Sequence, residues 1–241
     1  MTDEKCPRCG GEGWLRIVDA AGRDVVRPCP CRMNRRRAGL LAASRIPPRY
    51  EHCTLDNYIA QSPTQKRAMR ASRSFIDEFP HLEAGLLYSG PCGVGKTHLA
   101  VGVLREIAAE KGYSCLFADA RELIGEIRRS FDDGSPIDHR SLIDRVLSVD
   151  LLLLDDLGAY HLTSWVLDTF GDIITRRFNA RRHMLITTNY PDRRTKVQKE
   201  TLEDRVGSRL RSRLYEMCRQ LHVGGVTDFR EDIIAPRYEE D

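Results

Sequence analysis

Residues 90–97, with the sequence GPCGVGKT, are the most informative part of this 241-residue chain. They fit the pattern G-x-x-x-x-G-K-[ST] and lie between an apolar run that predicts a strand and a segment that predicts a helix. Glycines in such a loop let backbone N–H groups converge on phosphate oxygens, and the start of the next helix adds its positive end. The motif therefore predicts a loop that binds the phosphates of a nucleotide.

We assign the contacts with ATP to this loop and to the residue after it. Lys96 is expected to reach the β- and γ-phosphates, and the hydroxyl of Thr97 is expected to ligate Mg²⁺. A chance glycine loop before a helix is the simpler alternative, and the complete motif in its strand-to-helix context argues against it. The predicted nucleotide-binding residues are Gly90, Pro91, Cys92, Gly93, Val94, Gly95, Lys96, Thr97 and His98.

Two further predicted strands end in polar side chains that suit ATP hydrolysis. The apolar run 151–154 leads into Asp155 and Asp156, at the sheet edge where ligands of open α/β sheets bind. We expect Asp155 to hold Mg²⁺ and Asp156 to polarise the attacking water. Asn189 follows the run 184–188, and we expect it to orient that water. Each of these would be an ordinary strand end or turn residue if it stood alone.

Short apolar runs alternate with helical patterns from residue 66 onward, which is typical of βαβ units and a parallel sheet. The fold class is therefore α/β, with a five-stranded parallel sheet flanked by helices. The predicted strands are 85–89, 113–118, 151–155, 184–188 and 220–223. The predicted helices lie near 66–79, 96–111, 138–148, 163–181 and 201–216.

Two pairs of cysteines, Cys6 with Cys9 and Cys29 with Cys31, predict a zinc site near the N-terminus. Four thiolates make a closed tetrahedral site, so this zinc would be structural. The second pair has C-x-C spacing where C-x-x-C is commoner, and free thiols or a redox pair are the alternative.

Composition and charge limit the classes of function. The hydrophobic fraction of 41% and charged fraction of 30% are those of a globular protein. No apolar run approaches the ~20 residues that cross a bilayer, and the N-terminus lacks a signal-peptide core, so we expect a cytoplasmic protein with no membrane partner. The net charge of +3 does not by itself imply nucleic acid, but residues 32–49 hold six arginines and no acid.

Three arginines, Arg205, Arg209 and Arg213, recur every four residues in the predicted helix 201–216 and would share one face. A solvated basic face is the ordinary interpretation of such a row. ATP hydrolysis requires a cation at the γ-phosphate, commonly from a neighbouring subunit, so we favour a functional role for this face and self-assembly through it.

The ordered set of motifs resembles the DnaC/DnaI helicase loaders and the related IstB transposition helper ATPases of the AAA+ group, over nearly the whole chain. The resemblance rests on the cysteine-rich start, IPPRY at 46–50, the phosphate loop, DDLG at 155–158, the strand into Asn189, and DFR at 228–230, which is similar to the family's terminal SYR.

The sequence patterns predict a zinc-binding module with a basic arm at 1–40, a linker at 41–65 and an α/β domain at 66–241, and the resemblance implies that this domain is of the AAA+ kind. It implies a hexameric replicative helicase as partner of the N-terminal part and single-stranded DNA as partner of the ATPase part. The family's DNA-binding insertion falls on 121–138, with Arg128, Arg129 and Phe131, and an amphipathic helix and loop is the alternative there.

Spacing from the terminal arginine in this family points to Arg209 as the catalytic arginine finger, with Arg205 and Arg213 also open. Two other functions stay open. One is an IstB-like transposition helper that binds duplex DNA and a transposase, and the zinc module favours the loader over it. The other is a nucleotide-dependent adaptor with vestigial hydrolysis, against which the complete catalytic set argues.

Overall fold

The computed structural model describes residues 5–132, 138–159, 163–195 and 198–225. A 3-10 turn lies at Pro48–Tyr50, and a π-helical turn at Ile107–Lys111 continues the helix that begins at Lys96. In chain order the strands and helices are β1 Trp14–Val18, β2 Asp24–Pro28, α1 Pro30–Ala43, α2 Pro63–Glu78, β3 Gly85–Ser89, α3 Lys96–Glu106, β4 Cys115–Asp119, α4 Ala120–Arg129, α5 His139–Ser148, β5 Leu151–Asp155, α6 Ser164–Asn179, β6 His183–Thr188, α7 Leu202–Met217 and β7 Cys218–His222.

The main sheet has five parallel strands in the order β4-β5-β6-β3-β7. This confirms the predicted α/β fold, and the strand bounds differ from the predicted ones by two residues or fewer, with β7 beginning at Cys218. Parallel strands end at one edge of the sheet, so the residues that follow β3, β5 and β6 are brought together there.

Helices cover both faces of this sheet, and β5 shows why. Leu151 and Leu153 pack in one core layer with α2 and α3, while Leu152 and Leu154 pack in the other layer with α4 to α7. Successive side chains of a strand point to opposite faces, so a strand that is buried on both sides must be apolar throughout.

The segment 41–65, which we expected to be a linker, packs against the sheet domain. Leu55 is fully buried, and Cys53 and Tyr58 join it in the core layer that contains α3. The N–H of Phe117 donates to the carbonyl of Ser44 at 2.7 Å, which covers the edge strand β4. The boundaries at 40 and 65 stay predictions, but the side chains between them belong to the core.

Helix α7 is interrupted at Gly207, whose φ of 79° and ψ of 157° lie outside the helical region. The prediction that Arg205, Arg209 and Arg213 share one face of a continuous helix is therefore wrong. Arg205 is buried before the break, while Arg209 is exposed after it. The break could not be predicted from Gly207 in the sequence, because a glycine is often tolerated inside a continuous helix.

The N-terminal residues form a separate two-stranded antiparallel hairpin of β1 and β2, followed by α1. The far end of α1 reaches the main core through Leu41. Among the helices in the described ranges, none has the length and apolar character needed to cross a membrane.

The packing of Leu55 predicts a stability effect. Leu55→Ala should lower the free energy of unfolding by about 2–5 kcal/mol, because it leaves a cavity against α3. Ile59→Ala is the control, since Ile59 is 65% exposed and should change that free energy by about 0.5 kcal/mol or less. Urea unfolding of the nucleotide-free protein, followed by circular dichroism, measures both. Equal effects of the two substitutions would show that the segment does not pack as described.

Candidate nucleotide site and cysteine cluster

The phosphate loop follows a path that only glycine allows at two points. Gly90 has φ of 152°, and a Cβ there would lie 1.8 Å from the carbonyl oxygen of Val223. Gly95 is left-handed with φ of 89°, and a Cβ there would lie 2.6 Å from the ring of Tyr58. The loop is therefore fixed between β7 and the segment that precedes α2, with Lys96 starting α3.

Lys96 is 7% exposed and its ammonium group points into the loop. Its Nζ donates to the carbonyl oxygen of Pro91 at 2.6 Å and to Oδ1 of Asn189 at 2.7 Å. The predicted phosphate-binding lysine and the predicted water-orienting amide therefore lie within hydrogen-bonding distance, although 93 residues separate them in the sequence.

Asn189 also contacts the second acidic residue after β5. Its Nδ2 donates to Oδ1 of Asp156 at 2.6 Å. The N–H of Asp156 donates to Oγ1 of Thr187 at 2.8 Å, and Asp156 has a left-handed φ of 57°. A continuous chain of hydrogen bonds thus runs from Lys96 through Asn189 to Asp156.

Thr97 and Asp155 lie together beneath this chain. Oγ1 of Thr97 donates to Oδ1 of Asp155 at 2.9 Å, and Oγ1 of Thr187 donates to the same oxygen at 2.6 Å. Burial raises the pKa of Asp155, although the two hydroxyl donors oppose this shift. A hydroxyl and a carboxylate beside a phosphate loop are the oxygen ligands that Mg²⁺ uses with nucleotides, so this donor set fits that ion.

Tyr58 and Gln65 support the phosphate loop through hydrogen bonds that no sequence motif indicated. Oη of Tyr58 and Nε2 of Gln65 donate to the carbonyl oxygen of Val94 at 3.0 and 3.1 Å. Burial raises the pKa of Tyr58 to about 12, so it stays a donor at neutral pH. Nε2 of His98 lies 2.9 Å from the carbonyl oxygen of Thr54, which places this ring against the segment before α2.

The three candidate arginines lie in different surroundings. Nε of Arg205 donates to the carbonyl oxygen of Gly158 at 2.7 Å. Arg213 pairs with Glu216 at 2.5 Å, and Arg209 is exposed. Exposure is what a group that reaches another subunit needs. The position of the predicted arginine finger was counted from the motif at 228–230, which lies outside the described residues.

An exposed aromatic groove of about 490 Å³ lies between α4 and α6, lined by Arg128, Phe131, Thr163 and Trp165. Phe131 is 60% exposed and Trp165 is 39% exposed. The Arg128 guanidinium carbon lies 5.5 Å from the centre of the Trp165 ring. Sequence analysis missed Trp165, because it lies beyond β5 and only the fold brings it to Phe131. Residues 133–137 of the predicted insertion lie outside the described ranges.

The four N-terminal cysteines form one cluster, with their Sγ atoms all within 4.8 Å of one another. Sγ of Cys6 lies 3.8 Å from that of Cys29, and Sγ of Cys9 lies 3.4 Å from that of Cys31. Ligands about 2.3 Å from a tetrahedral Zn²⁺ would be about 3.8 Å apart, so the cluster could hold zinc. Contacts with Cys29 and Cys9 raise the pKa of Cys31 to about 12. A divalent cation would allow all four thiols to ionise.

Comparison with known proteins identifies relatives of this chain. The DnaC replicative helicase loader of Buchnera aphidicola is 28% identical over 172 residues, which are 71% of this chain and 68% of that protein. DnaC of Escherichia coli is 26% identical over 164 residues, 68% of this chain and 66% of that protein. The match thus spans about two thirds of the length of these curated relatives.

Solved structures show the same likeness. A DnaC helicase loader is 34% identical with a TM-score of 0.65, covering 74% of this chain and 100% of that one. DnaI is 26% identical with a TM-score of 0.62, covering 75% of this chain and 95% of that one. DnaA of Aquifex aeolicus, 22% identical with a TM-score of 0.61, shares the fold; the match covers 80% of this chain and 56% of that one.

The family model described as IstB-like ATP binding protein matches residues 25–230, which include the phosphate loop and the acidic and amide groups around it. This range is most of the chain, and the DnaC structure is matched over its full length. The chain therefore belongs to the family of IstB-like ATP-binding proteins, as a DnaC-type AAA+ protein.

Proposed function

We propose that this protein is an ATP-hydrolysing helicase loader, which acts in the cytoplasm on a hexameric replicative helicase and on single-stranded DNA. The main observation that supports ATP hydrolysis is the chain of hydrogen bonds from Lys96 through Asn189 to Asp156. It joins the group that binds phosphate to the groups that activate and orient water. The likeness to DnaC and DnaI supports the loading function.

Each group has one role in this proposal. The N–H groups of residues 90–97 and the ammonium of Lys96 bind the β- and γ-phosphates of ATP. Thr97 and Asp155 would hold Mg²⁺, which would neutralise charge on the phosphates. Asp156 accepts the proton of the attacking water, and Asn189 orients that water. Because Lys96 already donates to Asn189, arrival of the γ-phosphate changes the contacts of both residues at once.

Separate substitutions should divide binding from hydrolysis. Lys96→Ala should abolish ATP binding, whereas Asp156→Asn should bind ATP normally and lose at least about 100-fold in hydrolysis, because its amide cannot accept a proton. Binding of a fluorescent ATP analogue and phosphate release measure the two steps. Cys92 is an exposed thiol within the loop, so ATP should protect it from alkylation in Asp156→Asn and not in Lys96→Ala. Equal loss of affinity in both variants would show that the roles are misassigned.

Arg209 acts in trans in this proposal, at the γ-phosphate bound to a neighbouring subunit. Arg209 is exposed after the break in α7, which supports this role. Arg205 is buried before the break and does not suit it. The arginine completes the site of a neighbour, so assembly of several copies is part of the proposal.

Mixing of two variants tests the finger. Arg209→Ala should bind ATP normally and lose about a thousandfold or more in hydrolysis. Mixed with Lys96→Ala, it should recover part of the activity, because some interfaces then combine an intact phosphate loop with an intact finger. If both variants assemble and their mixture stays inactive, Arg209 is not the finger and Arg213 takes its place in the same test.

The groove of Phe131 and Trp165 is the proposed contact for single-stranded DNA. Exposed aromatic rings stack on bases, and Arg128 beside them supplies positive charge for phosphates. Stacking tolerates any base, which suits a protein that must act on many sequences.

Tryptophan fluorescence can report this contact, because the chain has only two tryptophans. In the Trp14→Phe background, single-stranded DNA should quench Trp165, and Phe131→Ala should weaken binding by about tenfold. Val26→Ala, at another exposed apolar residue, should leave the titration unchanged. Tighter binding of duplex than of single strands would instead favour a transposition helper of the IstB kind.

The cysteine cluster is proposed to hold a structural zinc, and the module that it stabilises is proposed to bind the helicase. The sulfur separations fit a tetrahedral ion. The hairpin beside the cluster has little apolar core of its own, which is typical of modules that fold around a metal.

Metal content tests this directly. The purified protein should contain one zinc per chain, and the double variant Cys6→Ser, Cys9→Ser should lose it and no longer co-elute with the helicase of its own cell, while still binding ATP. Cys53→Ser is the control, because Cys53 is buried in the main core instead. Sub-stoichiometric zinc in freshly prepared wild-type protein would contradict the proposal.

A further inference from the structure

Arg205 lies where the loops that follow the two catalytic strands meet. Its side chain is 6% exposed. Nε donates to the carbonyl oxygen of Gly158 at 2.7 Å, two residues beyond Asp156. The guanidinium carbon lies 4.9 Å from the centre of the Tyr190 ring, and Tyr190 follows Asn189. One cation therefore contacts both the loop after β5 and the loop after β6.

These contacts leave little room between the two loops. Gly158 is left-handed with φ of 89°, and a Cβ there would lie 3.2 Å from the Tyr190 ring and 3.3 Å from Cβ of Arg205. The N–H of Leu202 donates to the carbonyl oxygen of Pro191 at 2.9 Å, which fixes the start of α7 to the second loop. We call the contacts among Arg205, Gly158 and Tyr190 the Arg205 clamp.

Asp156 depends on such support, because its φ of 57° is uncommon for a residue other than glycine. Backbone of this kind persists when the surrounding contacts over-determine it. Thr187 on β6 accepts two hydrogen bonds from this turn. The N–H of Asp156 donates to its hydroxyl oxygen, and the N–H of Leu157 donates to its carbonyl oxygen. Two residues beyond Asp156, the clamp holds Gly158.

We propose that Arg205 is a positioning residue for hydrolysis within its own subunit. By holding Gly158 and Tyr190, it sets the position of Asp156 against Asn189 without touching ATP. The inference rests on the proposed ATP hydrolysis, and it assigns to Arg205 a role distinct from that of an arginine finger. Glu200, 3.6 Å from Nη1, supplies a carboxylate that helps to keep the guanidinium in place.

Steady-state kinetics test this role. Arg205→Met should leave Kd for ATP unchanged within a factor of about 3 and lower kcat by about 10- to 100-fold, as misplacement of a reacting group does. Arg205→Lys should recover part of kcat, because it keeps a cation and a donor for Gly158. Arg176→Met, at an exposed ion pair on α6, is the control and should change neither. Unchanged kcat in Arg205→Met, or an equal loss of ATP affinity, would overturn the proposal.

Mixing separates a role in cis from a role in trans. Arg205→Met mixed with Lys96→Ala should stay at the activity of Arg205→Met alone, since every subunit that binds ATP then has the damaged clamp. Recovery of activity in the mixture of Arg209→Ala with Lys96→Ala would show that the assembly forms and exchanges subunits. Recovery in the Arg205 mixture would make Arg205 a finger and overturn the proposal.

Hydrogen exchange provides a measurement that needs no turnover. The amide hydrogens of Asp156 and Leu157 should exchange faster in Arg205→Met than in the wild type, with Arg205→Lys between them and Arg176→Met equal to the wild type. If the wild type hydrolyses no ATP, the proposed function fails while this exchange pattern still supports the clamp. If exchange at these two amides is the same in all four proteins, Arg205 does not position Asp156.

Discussion

One carboxylate oxygen, Oδ1 of Asp155, joins the three elements on which the site depends. It accepts hydrogen bonds from Thr97 at the start of α3 and from Thr187 on β6, while Asp155 itself ends β5. The phosphate loop, the acidic strand and the strand that leads to Asn189 therefore share a common point. Because β5 is buried on both faces, this point is fixed by the core of the domain and not by surface loops.

The position of Asp155 is unfavourable for stability. Burial raises its pKa, so in the nucleotide-free protein the ionised form contributes unfavourably to the free energy of unfolding above that pKa. This contribution decreases as pH falls below the raised pKa, because the folded protein then binds the proton, and it is absent below the pKa of the unfolded chain. A cation beside the carboxylate would oppose the cost at neutral pH. The proposed binding of Mg²⁺ would therefore account for an ionisable group at this buried position.

Local sequence patterns were sufficient for the sheet and the phosphate loop, because strand periodicity and a glycine loop are properties of neighbouring residues. Long-range packing was not accessible in this way. Leu55 and Tyr58 lie in a short segment without strand or helix periodicity, so nothing indicated that they enter the core. The burial of Arg205 could not be predicted for the same reason, since spacing in a helix says which residues are neighbours and nothing of what covers them.

Gly207 divides α7 into one part that contacts the loops after β5 and β6 and another that carries the exposed Arg209. A Cβ at this position would meet nothing within 4 Å, so volume does not restrict the residue. The restriction lies in its φ of 79° and ψ of 157°, a region that is open to glycine and strained for other residues. Substitution there is limited by the handedness of L-amino acids alone. An L-residue at this position would have to accept that strain, or its backbone would have to become helical. A helical backbone there would change the orientation of Arg209 relative to Arg205.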